Sequence, residues 1–176
     1  TVGTPPGDAQ RVMFPALAAA NGFDPSKVTF VNIEPAAKYA ALAGRQVDAI
    51  FDYLTGQPFV YNAVGRENAV RILWSDYGVD LYGNAIVVNT AFLKEQPAAV
   101  RAWLDATYRG WKFTMENPDE AIAVLKKHVP QIDPAQYRQN LDLVFELFES
   151  RRYAENGIGW ISEEFMCQTV KLVSTY

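Results

Sequence analysis

Apolar and polar positions along the first half of this chain alternate between short β-branched runs and alanine-rich helical stretches. Thr29 to Ile33 (TFVNI) is apolar and β-branched and predicts a strand. Glu34-Pro35 opens a short alanine-rich helix, with the proline in the first turn where its missing N–H costs nothing. Gly44 stops that helix, and Val47 to Phe51 (VDAIF) predicts a second buried strand, completing a βαβ unit.

The same alternation extends in both directions. Val2-Gly3 reads as the end of a strand. It fits either a sheet strand of a longer polypeptide or a short edge strand at a natural terminus. GTPPGDAQR turns into a helix with Asp8 as its N-cap, Pro15 inside it and Asn21-Gly22 as its C-cap pair. A short helix is expected over 58–65. Further strands are expected over 69–74 (AVRILW) and 83–89 (GNAIVVN).

Beyond Asn89 the pattern becomes helical. Val100, Trp103, Leu104, Tyr108, Trp111 and Met115 recur at helical spacing behind Pro97, so both tryptophans are expected in the core. Asn117-Pro118-Asp119-Glu120 and Asp133-Pro134 each restart a helix with a cap and a first-turn proline, the former close to a capping box. Tyr137, Leu141, Val144, Phe145 and Phe148 form a further stripe, and Ser162 opens the last helix. Cys167 is expected to pack on an apolar helix face.

The totals narrow the function. The 176 residues are 49% hydrophobic, enough for one or two compact units. A net charge of -4 argues against a nucleic-acid surface. The first ten residues, TVGTPPGDAQ, lack the basic and apolar regions of a signal peptide. No apolar stretch is long enough to cross a bilayer, so a membrane enters only indirectly. One Cys and one His exclude an internal disulfide and a Cys/His zinc site within this chain.

Candidate chemistry gathers where the predicted strands end. Asn32 and Glu34 follow one strand; Asp52, Tyr53, Thr55 and Gln57 follow the next. Ligands of open parallel sheets bind in that crevice. A carboxylate beside an aromatic suits an amino-substituted ring, yet Asp52 equally fits a helix cap and Glu34 a helix-start charge. Gly7, Asp8 and Ala9 form a loop meeting a helix N-terminus, where free N–H groups attract acceptors. Asp8 is either a solvent-facing cap or a competitor with anionic ligands there, which favours a neutral or cationic heterocycle. Tyr77, Tyr82 and Asn84, with Gly78 and Gly83 between them, fit either a hinge or a plain loop. His128 near a helix C-terminus reads as a favourable charge position.

The run GDAQRVMFPALAAANGFDPSKVTFVNIEPAAKYAALAGRQVDAIFDYLTGQPF, followed in order by YGVDLYGNAIVVN, WKFTMENPDEA and GIGW, resembles the NMT1/THI5-like substrate-binding proteins, close to the nitrate, sulfonate and taurine receptors of ABC importers. The resemblance implies an α/β fold of the periplasmic-binding-protein-like type II. Residues 1–82 would form the second lobe. Residues 83–176 would form a hinge strand and helices of the first lobe, whose N-terminal half lies outside this sequence. It also implies a non-enzymatic solute receptor without a cofactor, partnered by an ABC permease, and periplasmic or lipid-anchored. The ligand-binding set would be Gly7, Asp8, Ala9, Asn32, Glu34, Asp52, Tyr53, Gln57, Tyr77 and Asn84, around a small heterocycle, with a thiamine-pyrimidine-like molecule favoured. The alternative is a thiamine-pyrimidine biosynthetic enzyme, as in fungal members of the family, which uses pyridoxal phosphate, iron, a histidine and a cysteine cluster.

Overall fold

The computed structural model describes residues 1–148 and 155–176. Three short parallel strands, β1 (Val2–Thr4), β2 (Phe30–Asn32) and β3 (Ala49–Ile50), form one sheet in the order β2-β1-β3. Val2 pairs with Phe30 and Ala49; Thr4 pairs with Asn32. The strand at the start of the chain is therefore the central one.

The connections are helical, as parallel pairing requires. Helix α1 (Ala9–Asn21) starts at Asp8, whose Oδ1 accepts the Gln10 N–H at 2.9 Å, and stops at Gly22 with φ 69°. That left-handed C-cap conformation is one glycine adopts without strain. A 3₁₀ turn (Pro35–Ala37) leads into α2 (Lys38–Ala43), and α3 (Gln57–Val64) follows β3. Met13, Phe14, Ala16 and Leu17 of α1 are buried together with Phe51 and Val79. Phe14 is the hub, with ring centroids 5.3 to 6.4 Å from Phe30, Phe51, Phe23 and Trp74.

Two expected strands do not form. Residues 69–74 and 83–89 take no part in a sheet, Trp74 opening a 3₁₀ turn instead; Val70 is 89% and Val87 90% exposed. Their β-branched composition favours extended backbone, but no neighbouring strand pairs with it, and strand propensity without a partner does not make a strand. The described residues are thus mostly helical around a small parallel sheet.

Further helices are α4 (Thr90–Glu95), α5 (Pro97–Glu116), α6 (Pro118–His128), α7 (Pro134–Phe148) and α8 (Glu163–Thr175). Asp133 Oδ1 accepts from the Ala135 and Gln136 N–H groups, and Ser162 Oγ from Phe165 N–H, as the capping pattern predicts. Asn117 does not cap α6. It also ends α5, and its amide donates back to the Phe113 carbonyl. Trp111 packs edge-on against Phe148 with centroids 5.0 Å apart, but Trp103 is 56% exposed and α5 buries no residue. Cys167 is also exposed, because α8 turns Phe165 inward and position 167 lies on its other side.

The chain forms two compact units. One comprises residues 1–82 with 161–176; the other comprises residues 83–160. In the first, α8 is tied to residue 82: Tyr82 N–H donates to Thr169 Oγ1, the Ser162 N–H donates to the Tyr82 hydroxyl at 2.8 Å, and the Tyr82 ring lies 4.6 Å from that of Phe165. In the second, Arg138 of α7 pairs with Asp142 one turn on and with Asp119 of α6.

Candidate functional site

Because the three strands are parallel, the residues that follow them leave the sheet at one edge. Asp8 sits a turn after β1, Asn32 ends β2, and Asp52 follows β3. Their surroundings differ, and the differences sort the candidates.

After β1, the chain turns through Gly7 into α1, with Gly7 and Ala9 exposed and the Asp8 carboxylate occupied by the helix start. After β2, the side-chain Oδ1 of Asn32 accepts from Arg11 Nη1 at 2.6 Å, and the Arg11 guanidinium lies 4.9 Å from the Phe30 ring centre. Arg11 therefore joins this edge from α1, on the strength of helical phase: it stands one turn in from the cap, toward β2. Glu34 is exposed and its side chain caps no backbone N–H.

After β3, Asp52 sits inside a network of its own unit. Oδ2 accepts the Tyr39 hydroxyl at 2.8 Å, and Oδ1 accepts the Tyr53 N–H at 2.9 Å. Lys38 Nζ stands 3.3 Å from Oδ1 and also donates to the Phe51 carbonyl at 2.9 Å. Both charged side chains are largely withdrawn from solvent, at 12% and 18% exposure. The carboxylate is thus engaged by three donors, whereas the neighbouring Tyr53 ring is half exposed.

A cleft of 720 Å³ opens along the outer edge of β3. Asp52, Tyr53, Gln57 and Tyr61 line one part of it, and residues 69–73 contribute another part of its wall. The Gln57 amide donates to the Tyr61 hydroxyl at 2.7 Å, so the first turns of α3 present an amide and a phenol together. This volume falls within the range of small-molecule sites. Gly7, Asp8, Ala9, Asn32 and Glu34 share the carboxyl edge of the sheet but not this cleft.

Tyr77 is placed elsewhere. Its carbonyl accepts the Asn21 amide at the C-terminal end of α1, roughly 20 Å from the Asp8 end by helix rise. Asn84 is exposed and belongs to the second unit. Lys38, Tyr39, Tyr61 and Arg11 join the site edge without a signal that composition or spacing supplies. They arrive from preceding or following helices, and only the three-dimensional crossing of helix and strand brings them there. Among the described residues no cluster of His, Cys, Asp and Glu could hold a metal ion, and no helix is long and apolar enough to cross a membrane.

The carboxyl edge of a parallel sheet is where open α/β sheets hold small ligands. The chain belongs to the NMT1/THI5-like family, whose model matches residues 1–121. Among curated proteins it is similar to the riboflavin-binding protein RibY of Chloroflexus aurantiacus, 27% identical over 174 residues, covering 96% of this chain and 48% of that protein. It is also similar to the formylaminopyrimidine-binding protein of Halalkalibacterium halodurans, 24% identical over 160 residues, covering 85% of this chain and 47% of that protein. The chain therefore spans about half the length of these relatives. No solved structure matches it significantly.

Proposed function

We propose that this chain is part of a solute-binding protein of an ABC importer, which captures a flat nitrogen heterocycle and performs no chemistry on it. The observation that carries this reading is the cleft at the end of β3, where an exposed tyrosine ring, an amide and a phenol stand together. An aromatic face takes a planar ring by stacking, and the amide and phenol supply directional hydrogen bonds. The two relatives are named for ligands that share a pyrimidine-type ring, which supports the same ligand class here.

On this reading Tyr53 and Gln57 contact the ligand directly. Gly7, Asp8, Ala9, Asn32 and Glu34 line the continuation of the crevice along the sheet edge, with Arg11 beside Asn32. A thiamine-pyrimidine-like molecule is the favoured occupant. The fold is that of a type II binding protein, with the first unit acting as one lobe and the ligand held as the lobes close. Asn84 then belongs to the segment that links the lobes. The permease is the protein partner, and the site of action is periplasmic, or extracellular with a lipid anchor.

The test is a titration of the intact polypeptide with riboflavin, formylaminopyrimidine and an aminopyrimidine alcohol, followed by calorimetry. Saturable one-to-one binding of one of them without turnover is expected. Absence of binding across the panel, or conversion of the ligand, overturns the proposal.

A further inference from the structure

We infer that Lys38 and Asp52 are positioning residues, which clamp the backbone of Tyr53 so that its ring stands fixed at the mouth of the cleft. This rests on the ligand role proposed above for Tyr53, and it reassigns Asp52, which the sequence suggested as a direct hydrogen-bond acceptor for the ligand.

The argument starts from what the carboxylate already holds. Oδ1 takes the Tyr53 N–H and faces the Lys38 ammonium; Oδ2 takes the Tyr39 hydroxyl. Such a carboxylate offers a ligand little unused acceptor capacity. The same contacts act on Tyr53. Its N–H is held by Asp52, and its carbonyl accepts the Gly56 N–H at 2.9 Å. Both backbone groups of Tyr53 are thus fixed while its ring remains half exposed.

Gly56 completes the clamp. Its backbone lies so close to the carboxylate that a Cβ built there would collide with Asp52 Oδ2. Only a residue without a side chain lets the turn close over Asp52. Lys38 neutralises the carboxylate and anchors the Phe51 carbonyl just before it. The ion pair is withdrawn from solvent, so its geometry is held rather than averaged among rotamers, as an exposed pair would be. A stacking ring on a fixed base binds with less ordering cost than one on a mobile loop.

Two readouts separate this from a general structural role. The first needs no ligand. Hydrogen exchange of the Tyr53 and Gly56 amides in the full chain is expected to rise roughly tenfold in Lys38→Met, the scale of losing one charge-assisted hydrogen bond, with α1 amides unchanged. Lys38→Arg, which keeps the cation, is expected to restore protection. Asp52→Asn keeps the volume and removes the charge; it gives the same rise and serves if Lys38→Met does not fold. Unchanged Tyr53 and Gly56 exchange in the folded variants, or a rise spread evenly over the unit, overturns the inference.

The second readout is a double-mutant cycle of Lys38→Met with Tyr53→Ala, read as riboflavin or formylaminopyrimidine affinity, whichever probe binds. Positioning predicts that Lys38→Met weakens binding roughly tenfold when Tyr53 is present and changes nothing once Tyr53 is alanine. Equal losses in both backgrounds overturn it. If neither probe binds, the ligand-class proposal has failed, and the exchange experiment still decides the clamp.

Discussion

The Tyr39 hydroxyl donates to Asp52 Oδ2 across 2.8 Å and thereby fastens α2 to the turn that follows β3. Residues 13 positions apart are joined at the one edge of the sheet where the strands deliver their polar ends. The same carboxylate leaves no room for a Cβ at Gly56.

Gly56→Ala is expected to destabilise the protein by about 1–3 kcal/mol through overpacking against Asp52. The backbone at Gly56 has φ -76°, so alanine meets no conformational penalty there and the whole effect is steric. Urea unfolding checks this. In an Asp52→Ala background the cost is expected to vanish, because the clashing atoms are gone.

Gly22 and Arg45 predict opposite signs. Gly22 ends α1 at φ 69° with nothing within 4 Å of a Cβ, so Gly22→Ala costs only the left-handed backbone term, about 1 kcal/mol. Arg45 occupies the same region at φ 55° with a full side chain. Arg45→Gly is expected to stabilise by up to about 1 kcal/mol. Thermal unfolding of the two variants side by side reads both signs.

Phe14→Ala is expected to cost about 3–5 kcal/mol, the range for removing a buried aromatic that touches several rings. Phe14 is 7% exposed and meets Phe23, Phe30, Phe51 and Trp74. Loss of the folded baseline in circular dichroism at moderate temperature is the expected reading.

Much of the helical framework is legible from local rules. Asp8, Gly22, Asp133 and Ser162 cap helices because short polar side chains and glycine satisfy helix ends through neighbours a few residues away. β1 to β3 were legible because buried parallel strands leave short apolar runs. Residues 69–74 and 83–89 have strand composition and form no strand for the complementary reason: a strand needs a partner, and composition does not name one. Trp103 and Cys167 are exposed despite their apolar neighbours, because a helical stripe says which positions share a face, not whether anything covers it. In the candidate site, Asp52 and Tyr53 were visible as residues following a strand, but the donors on Asp52 come from α2. The sequence therefore could not show that the carboxylate was already taken.

Asp24 gives a pH prediction. Its hydrogen bonds from Ser26, side chain first and then backbone, hold its carboxyl below the usual value of 3.8. A carboxylate whose folded pKa is depressed adds stability above its unfolded pKa and loses it as pH falls through the folded one. The contribution is therefore present above about pH 4 and lost on further acidification. Asp24→Ala is expected to flatten that part of the acid-unfolding profile.

The most direct test of a heterocycle-binding crevice is the affinity of the intact polypeptide for riboflavin and formylaminopyrimidine, measured with Tyr53 present and with Tyr53→Ala. Saturable binding of at least one of them, weakened roughly tenfold or more by the substitution, is the predicted result. Binding that is indifferent to Tyr53, or no binding of either compound, contradicts it.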